Sequence, residues 1–460
     1  MKRRNFVSLL PAAALAGQDL ETLSGNYRDA AARLIGAALV DEEGWRKMQY
    51  WCDRIGPRLA GSPALTRAIE WSAAEMRREG LANVSTPLVK VPHWVRGNES
   101  AELVEPLESK IAMLGLGGSV ATPPEGITAE VVCVESYDEL ERLGADKVRG
   151  RMVCYNAPWQ GYGRAVAFRV TGASRAAKLG AVAALVRSAT GTSIRSPHTG
   201  MLSYSADLPR IPAASISVED AQRIGRLCAS GVTVKVRLKM EAHTLPDADS
   251  ANVIAEIPGR EKPEEIVVLG GHSDSWDVGQ GAHDDASGAI ACWQAVELVH
   301  KLGLRPRRTL RVCLWVNEEN GLRGGLAYRE WAGESVRRHV AAIEMDGGVE
   351  STLGFGLTMQ GASEAVTARA MERLRRIGLL LKGIGAGDMT RGGGGADISP
   401  LTKEGVPSIG HRSSMEHYFD WHHTEADTLD KVDPRELRRA IAALAVLGFT
   451  LADMRERLAD

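Results

Sequence analysis

The stretch from Val267 to Gly288, VVLGGHSDSWDVGQGAHDDASG, sets histidine and aspartate side chains among glycine turns directly after a short apolar run. The residues leading into it, EEIVVLGGH, predict a buried strand with His272 at its C-terminal end. From about Ser287 the recurrence of Ile290, Trp293, Val296 and Leu298 predicts a helix with one buried side. Three later segments repeat the arrangement. TLRVCLWVNEEN predicts a strand running out into Glu318-Glu319, HVAAIEMDGG a strand running out into Asp346, and VPSIG a strand leading to the loop DWHHTEADT. Strands alternating with amphipathic helices predict an α/β fold, a mostly parallel sheet flanked by helices. In such a sheet ligands bind outside the carboxyl ends of the strands, so loops far apart in sequence converge there.

The rest of the chain sets the frame. Its 460 residues, 44% hydrophobic and 25% charged, suit a globular protein of two or three domains. A formal net charge of −2 gives no electrostatic case for a nucleic-acid partner. No apolar run reaches the ~18 residues that a membrane span requires. The N-terminus, MKRRNFVSLLPAAALAGQD, reads as an export signal over residues 1–16: basic residues, an apolar stretch from Phe6 to Leu15, and the small-x-small triplet Ala14-Leu15-Ala16. Arg3-Arg4 suits a twin-arginine route, so a periplasmic or secreted protein is expected.

Residues 26–90 read as largely helical, with Ile69, Ala73 and Met76 on one face and Gly80 as a C-cap. Residues 126–238 change character: the β-rich runs AEVVCV, RMVCYN and VTVKVRL surround a helix-like GASRAAKLGAVAALV, as in a compact insert. The six cysteines show no C-x-x-C spacing, and Cys292 and Cys313 sit in apolar segments; neither a disulfide framework nor a cysteine metal site is expected.

Singly, each strand-end residue has a plain explanation: a hydrogen-bonded histidine, a solvated Glu-Glu turn, or aspartates complementing a helix dipole. Together, His272, Asp284, Glu319, Asp346 and His423 supply two imidazoles and three carboxylates, the ligand chemistry of a paired zinc site. Without cations such carboxylates would repel one another and take up protons. Five side chains hold two ions only if one carboxylate bridges, and Asp284, on the loop between strand and helix, is the candidate. Asp274, two residues beyond His272, suits the acceptor of the other ring N–H. Glu318 is left beside the metals as the general base.

The blocks GGHSDSWDVGQGAHDDASG, NEENG, EMDGG and HHTEADT resemble, in order, the metal-binding blocks of the M28 family of di-zinc peptidases, and within it the carboxypeptidase Q branch. The resemblance runs from DRIGPRLAGS at Asp53 to LADMRERL near the C-terminus. It implies that His272 and Asp346 hold one zinc, Glu319 and His423 the other, with Asp284 bridging, a cis Asp284–Asp285 peptide and Glu318 as catalytic base; divalent ions such as cobalt or manganese suit the same ligands. His422 stands where many members carry a carbonyl-polarising tyrosine, and RGGGGADIS resembles a substrate-facing loop only through Gly395 and Asp397.

The resemblance further implies a peptidase domain of residues 17–105 and 239–460 interrupted by a protease-associated domain at 106–238, and a homodimer. The activity it implies is an exopeptidase of dipeptides and short peptides, a carboxypeptidase or dipeptidase. The rivals are an aminopeptidase with the same metal blocks and a non-catalytic receptor on this fold, whose mark would be lost ligands or a lost base; here all are present.

Overall fold

The computed structural model describes residues 12–460. Eight strands form the central mixed sheet. In chain order they are β1 (Ala82–Ser85), β2 (Val253–Ile257), β3 (Lys262–His272), β4 (Arg308–Trp315), β5 (His339–Glu344), β6 (Thr352–Thr358), β7 (Asp388–Arg391) and β8 (Ser408–Ser413). Side by side they run β1-β2-β4-β3-β5-β8-β6-β7. The four inner strands β4, β3, β5 and β8 are parallel, while β1, β2 and β6 pair antiparallel to their neighbours on the way in.

Successive side chains of a strand point to opposite faces, and β3 uses both. Val267 and Leu269 join a core with Ile290, Trp293 and Val296 of the helix Ser287–Lys301 and with Leu444 and Leu447 of the helix Pro434–Asp453. Ile266 and Val268 face the other way, onto Tyr328 and Ala332 of the helix Arg323–Ala332. Helices therefore cover both faces, which is why β4 and β5 are buried throughout and show no in-out alternation.

A second eight-stranded sheet comes from the chain between Glu99 and Met240. Its order is Ser109–Ile111, Glu99–Glu105, Lys235–Met240, Ile127–Val134, Met152–Tyr155, Ala183–Arg187, Ala213–Ile216 and Met113–Gly115. One of its cores is its own, and the other is shared with Leu59 and Trp276 from outside the sheet. The antiparallel ribbon of Leu88–Val95 and His243–Ala251 carries the chain out to this sheet and back.

Two local expectations are corrected. Helix in the N-terminal part ends at Arg78, and Lys90 lies in the strand Leu88–Val95, whose alternating valines favour a half-buried ribbon. The helix-like GASRAAKLGAVAALV divides: the helix Tyr162–Lys178 stops, the chain turns through Gly180 at φ +84°, and Ala183–Arg187 is a buried strand. An alanine-rich run carries too little side-chain pattern to tell a buried helix from a buried strand. All six cysteines are free. Among the described residues no helix is long and apolar enough to cross a membrane. The Arg3-Arg4 signal lies outside the described residues.

The β3–β4 contact is tight enough to test. A Cβ on Gly270 would stand 1.8 Å from the Cys313 carbonyl oxygen and 2.6 Å from the Trp315 ring. Neither neighbour can yield without breaking the parallel ladder, and overpacking at a relaxed site already costs about 1–3 kcal/mol. Gly270→Ala is expected to lower the thermal midpoint by several degrees or to abolish soluble expression, as read by circular-dichroism melts. An unchanged melt would show that the two strands part more easily than their geometry indicates.

Candidate metal centre

The carboxyl ends of β3, β4 and β5 open onto one cleft. His272, the last residue of β3, is fully buried. Its Nε2 lies 3.2 Å from Asp284 Oδ1 and 3.6 Å from Asp346 Oδ1, the latter on the loop after β5. The other Asp284 oxygen, Oδ2, is 3.2 Å from His423 Nε2 and 3.3 Å from His422 Nε2. Glu319, after β4, places Oε2 3.1 Å from His423 Nε2. All five residues expected to be ligands therefore meet, with Asp284 in the middle, and the Asp284–Asp285 peptide is cis.

Two groups of side chains have donor atoms close enough to share an ion: His272, Asp284 and Asp346, and Asp284, His422 and His423. Asp284 belongs to both. Its Oδ2 is buried and has no hydrogen-bond partner although two imidazole nitrogens face it. An orphaned buried oxygen among ring nitrogens is costly unless a cation joins them, and imidazole with carboxylate is a donor set for zinc-like ions. The residues present thus fit a metal pair.

Charge balance points the same way. Burial, reinforced by Asp346, Glu319 and Asp284, drives the Glu318 carboxyl well above the usual range, against the opposing pull of His272. Burial and Asp284 raise Glu319 to about 7. Burial disfavours a charged His272, yet Asp274, Asp284 and Asp346 overcome it and hold the imidazolium up. Protons stand where divalent cations would relieve the same repulsion.

The loops are held from behind. Asp427, inside HHTEADT, accepts hydrogen bonds from the His283 and Asp284 amides at 2.8 and 3.1 Å. Fully buried Arg58 donates to the carbonyls of Ser273, Gln280 and Gly281 at 2.8, 2.7 and 3.0 Å, tying down both ends of the loop between His272 and Asp284. Asp285 accepts from the His272 and Gly288 amides, so the first aspartate of the pair faces the cleft while the second caps the following helix. Residues Asp427 and Arg58 lie inside blocks already noted in the sequence, but nothing in their spacing signals that they brace backbone.

Three expectations need adjustment. Asp274 does sit beside His272, but the ring Nδ1 meets its backbone carbonyl at 3.0 Å, and the carboxylate stands 3.7 Å away. That carboxylate instead accepts from the Glu318 and Glu319 amides at 3.1 and 3.3 Å, fixing both glutamates at once. His422, which stands where many members carry a carbonyl-polarising tyrosine, reaches Asp284 Oδ2 nearly as closely as His423 does. Its ring stacks on the His423 ring at 3.6 Å, with His423 at φ +62° turning the two to the same side. Asp397 is 1% exposed with both carboxylate oxygens unpartnered, and its amide donates to Glu344. Gly395 also lies against Glu344, where a Cβ would stand 2.0 Å from the carboxyl carbon. This loop packs against Glu344, the last residue of β5.

The second sheet contributes as well. Thr199, in the loop between two of its strands, donates its amide to the His423 carbonyl at 2.9 Å, and its own carbonyl lies 3.3 Å from His423 Nδ1. That carbonyl holds the proton on Nδ1 and leaves the Nε2 lone pair free for the cleft.

Residues 252–447 match the family model described as Peptidase family M28. Carboxypeptidase Q of Mus musculus is 42% identical over 94% of this chain and 91% of its own length, and that of Homo sapiens 41% identical over 94% and 90%. The chain belongs to peptidase family M28. As an M28 peptidase it is a metallo-exopeptidase. A crystal structure of a peptidase M28 precursor from Shewanella amazonensis SB2B superimposes with a TM-score of 0.89 at 30% identity, covering 94% of this chain and 98% of that one. A zinc aminopeptidase from Bacillus subtilis shares the fold, with a TM-score of 0.67 at 21% identity over 91% and 96% of the two chains.

Removal of a ligand and removal of the glutamate beside the ligands should separate. His272→Ala takes away a donor shared with Asp284 and Asp346, so bound metal should fall by at least one ion per chain. Glu318→Gln should keep its metal and lose about 10²–10⁴ in turnover. Metal analysis and peptide hydrolysis on both variants decide the matter. Loss of metal from Glu318→Gln as complete as from His272→Ala would make Glu318 a ligand.

Proposed function

We propose that this M28 peptidase is an exported two-zinc exopeptidase that removes one residue from dipeptides and short peptides, acting as a carboxypeptidase or dipeptidase. The observation that carries the reading is Asp284, one carboxylate facing both imidazole clusters with one oxygen each. His272 and Asp346 would hold one ion and His423 with Glu319 the other, His422 lying close enough to the second to share it. Bound there, the ions would polarise the scissile carbonyl and lower the pKa of a water.

The chain's own residues supply the remaining chemistry. Glu318, its backbone fixed by Asp274, accepts a proton as the water oxygen adds to the carbonyl carbon. It returns that proton to the departing nitrogen as the C–N bond breaks, so one residue alternates as base and acid. The unit at 106–238 is read as a protease-associated domain, and Glu99–Glu105 belongs to its sheet, paired between Ser109–Ile111 and Lys235–Met240. The curated relatives bear a carboxypeptidase name, which supports cleavage at the carboxyl end. The basic N-terminus supports export, and the family likeness supports a homodimer.

Blocked dipeptides test the direction of attack. The purified enzyme is expected to hydrolyse a dipeptide whether its amino end is free or acetylated, and to lose most activity when the carboxyl end is amidated. Chelation should abolish hydrolysis and zinc should restore it. Hydrolysis of the amide but not of the acetylated peptide would make the chain an aminopeptidase.

A further inference from the structure

In the second sheet the strands Ile127–Val134, Met152–Tyr155 and Ala183–Arg187 run parallel and finish side by side. Beyond their carboxyl ends, against the helix Val218–Ala229, lies a cavity of about 710 Å³ that shares no lining residue with the metal centre. In an open α/β sheet this is where ligands bind. Glu135, Asn156 and Arg187 line it, one from each strand end. Arg187 donates through Nη1 to the Ala157 carbonyl at 2.7 Å, yet its buried Nε has no partner, and among the described residues no carboxylate lies within ion-pair reach of it. The buried Oδ1 of Asn156 likewise accepts from nothing. Tyr155 and Val186 are register partners, so the next residue of each strand, Asn156 and Arg187, sets an unused acceptor beside an unused donor.

A buried donor and a buried acceptor left unmet each cost free energy, and a ligand carrying the opposite pair relieves both at once. The zwitterion of a free α-amino acid is such a ligand. Its carboxylate takes the N–H groups of Arg187, while its ammonium donates to Asn156 Oδ1 on the side of Glu135. The charges around the cavity are balanced in the same way, Glu135 and Glu139 against Arg187 and Arg226, which suits a molecule with no net charge. Trp159 supplies an apolar wall. Its ring packs on Phe419 with centroids 6.0 Å apart and lies against Gly191, where a Cβ would stand 2.9 Å from it. We propose that this cavity binds a free apolar α-amino acid, the class of molecule that an exopeptidase releases. The inserted unit then carries a ligand site of its own, outside the metal cleft. The proposal rests on exopeptidase activity alone and holds whichever end of the peptide is cut.

The test is equilibrium dialysis of the metal-loaded enzyme against L-leucine, with L-leucinol, which lacks the carboxylate, and 4-methylpentanoate, which lacks the ammonium, as probes. Dipeptide turnover and a circular-dichroism melt accompany each protein. Wild type should bind leucine saturably and more tightly than either analogue. Arg187→Gln removes the charged donor and should weaken leucine binding by about 10-fold or more. Gly225→Ala is the second variant. A Cβ there would stand 2.7 Å from Asn156 Nδ2, so the amide must swing away, while the alanine itself favours the helix. It should weaken leucine binding similarly, and decides the matter if Arg187→Gln does not fold. Turnover should be unchanged in both variants, since neither position touches the metal centre. Leucine binding that is absent from wild type, or that both folded variants keep at full strength, overturns the proposal and leaves the exopeptidase activity standing. Analogues that bind as tightly as leucine overturn it too.

Discussion

The Asp284 carboxylate, with one oxygen toward His272 and the other toward His423, is the constraint on which the rest of the site depends. A carboxylate can join two centres only if its backbone is held so that neither oxygen is free to swing away. Here the restraint is external to the residue. Asp427 takes the amides of His283 and Asp284, and Arg58 takes carbonyls at both ends of the loop. Both braces are buried and ionisable, Arg58 being fully enclosed and Asp427 pushed by burial up to about 7. Polar groups buried this deeply are tolerable only when they are hydrogen-bonded, and these spend their bonds on loop backbone.

From that anchor the sheet explains the convergence. Parallel strands β4, β3 and β5 end at the same level, so residues some seventy positions apart, from His272 to Asp346, emerge into one cleft. Asp274 then links two of the loops, touching the His272 ring with its carbonyl and holding Glu318 and Glu319 with its carboxylate. The result is a concentration of buried acids with strongly perturbed proton affinities, the electrostatic mark of a place built for cations. The second sheet reaches the same cleft through Thr199 and Arg169, so it shares in the centre and does not merely cover it.

Much of this was legible in the sequence because strand ends are local features. His272, Glu319 and Asp346 each follow an apolar run that only a buried strand explains, and a glycine-rich turn follows or precedes each. Asp284 and Asp285 were legible as a pair but not in their division of labour, since which aspartate caps the helix depends on backbone geometry. The partners of the loops were not legible. Arg58 and Asp427 act on carbonyls and amides, which carry no residue type, so no spacing rule points to them. Arg169 sits in a helix that alanine and glycine make hard to bound, and its neighbour His423 is 254 residues away. The exchange of roles at Asp274 between carbonyl and carboxylate likewise needs three dimensions.

Anomalous diffraction from a zinc-soaked crystal, recorded at the zinc absorption edge, addresses the central claim most directly. The account predicts two peaks per chain, roughly 3.5–4 Å apart as two-metal hydrolysis requires, with Asp284 bound to both. One should lie against His272 and Asp346 and the other against His423 and Glu319. A single peak, or two peaks of which only one touches Asp284, would contradict it.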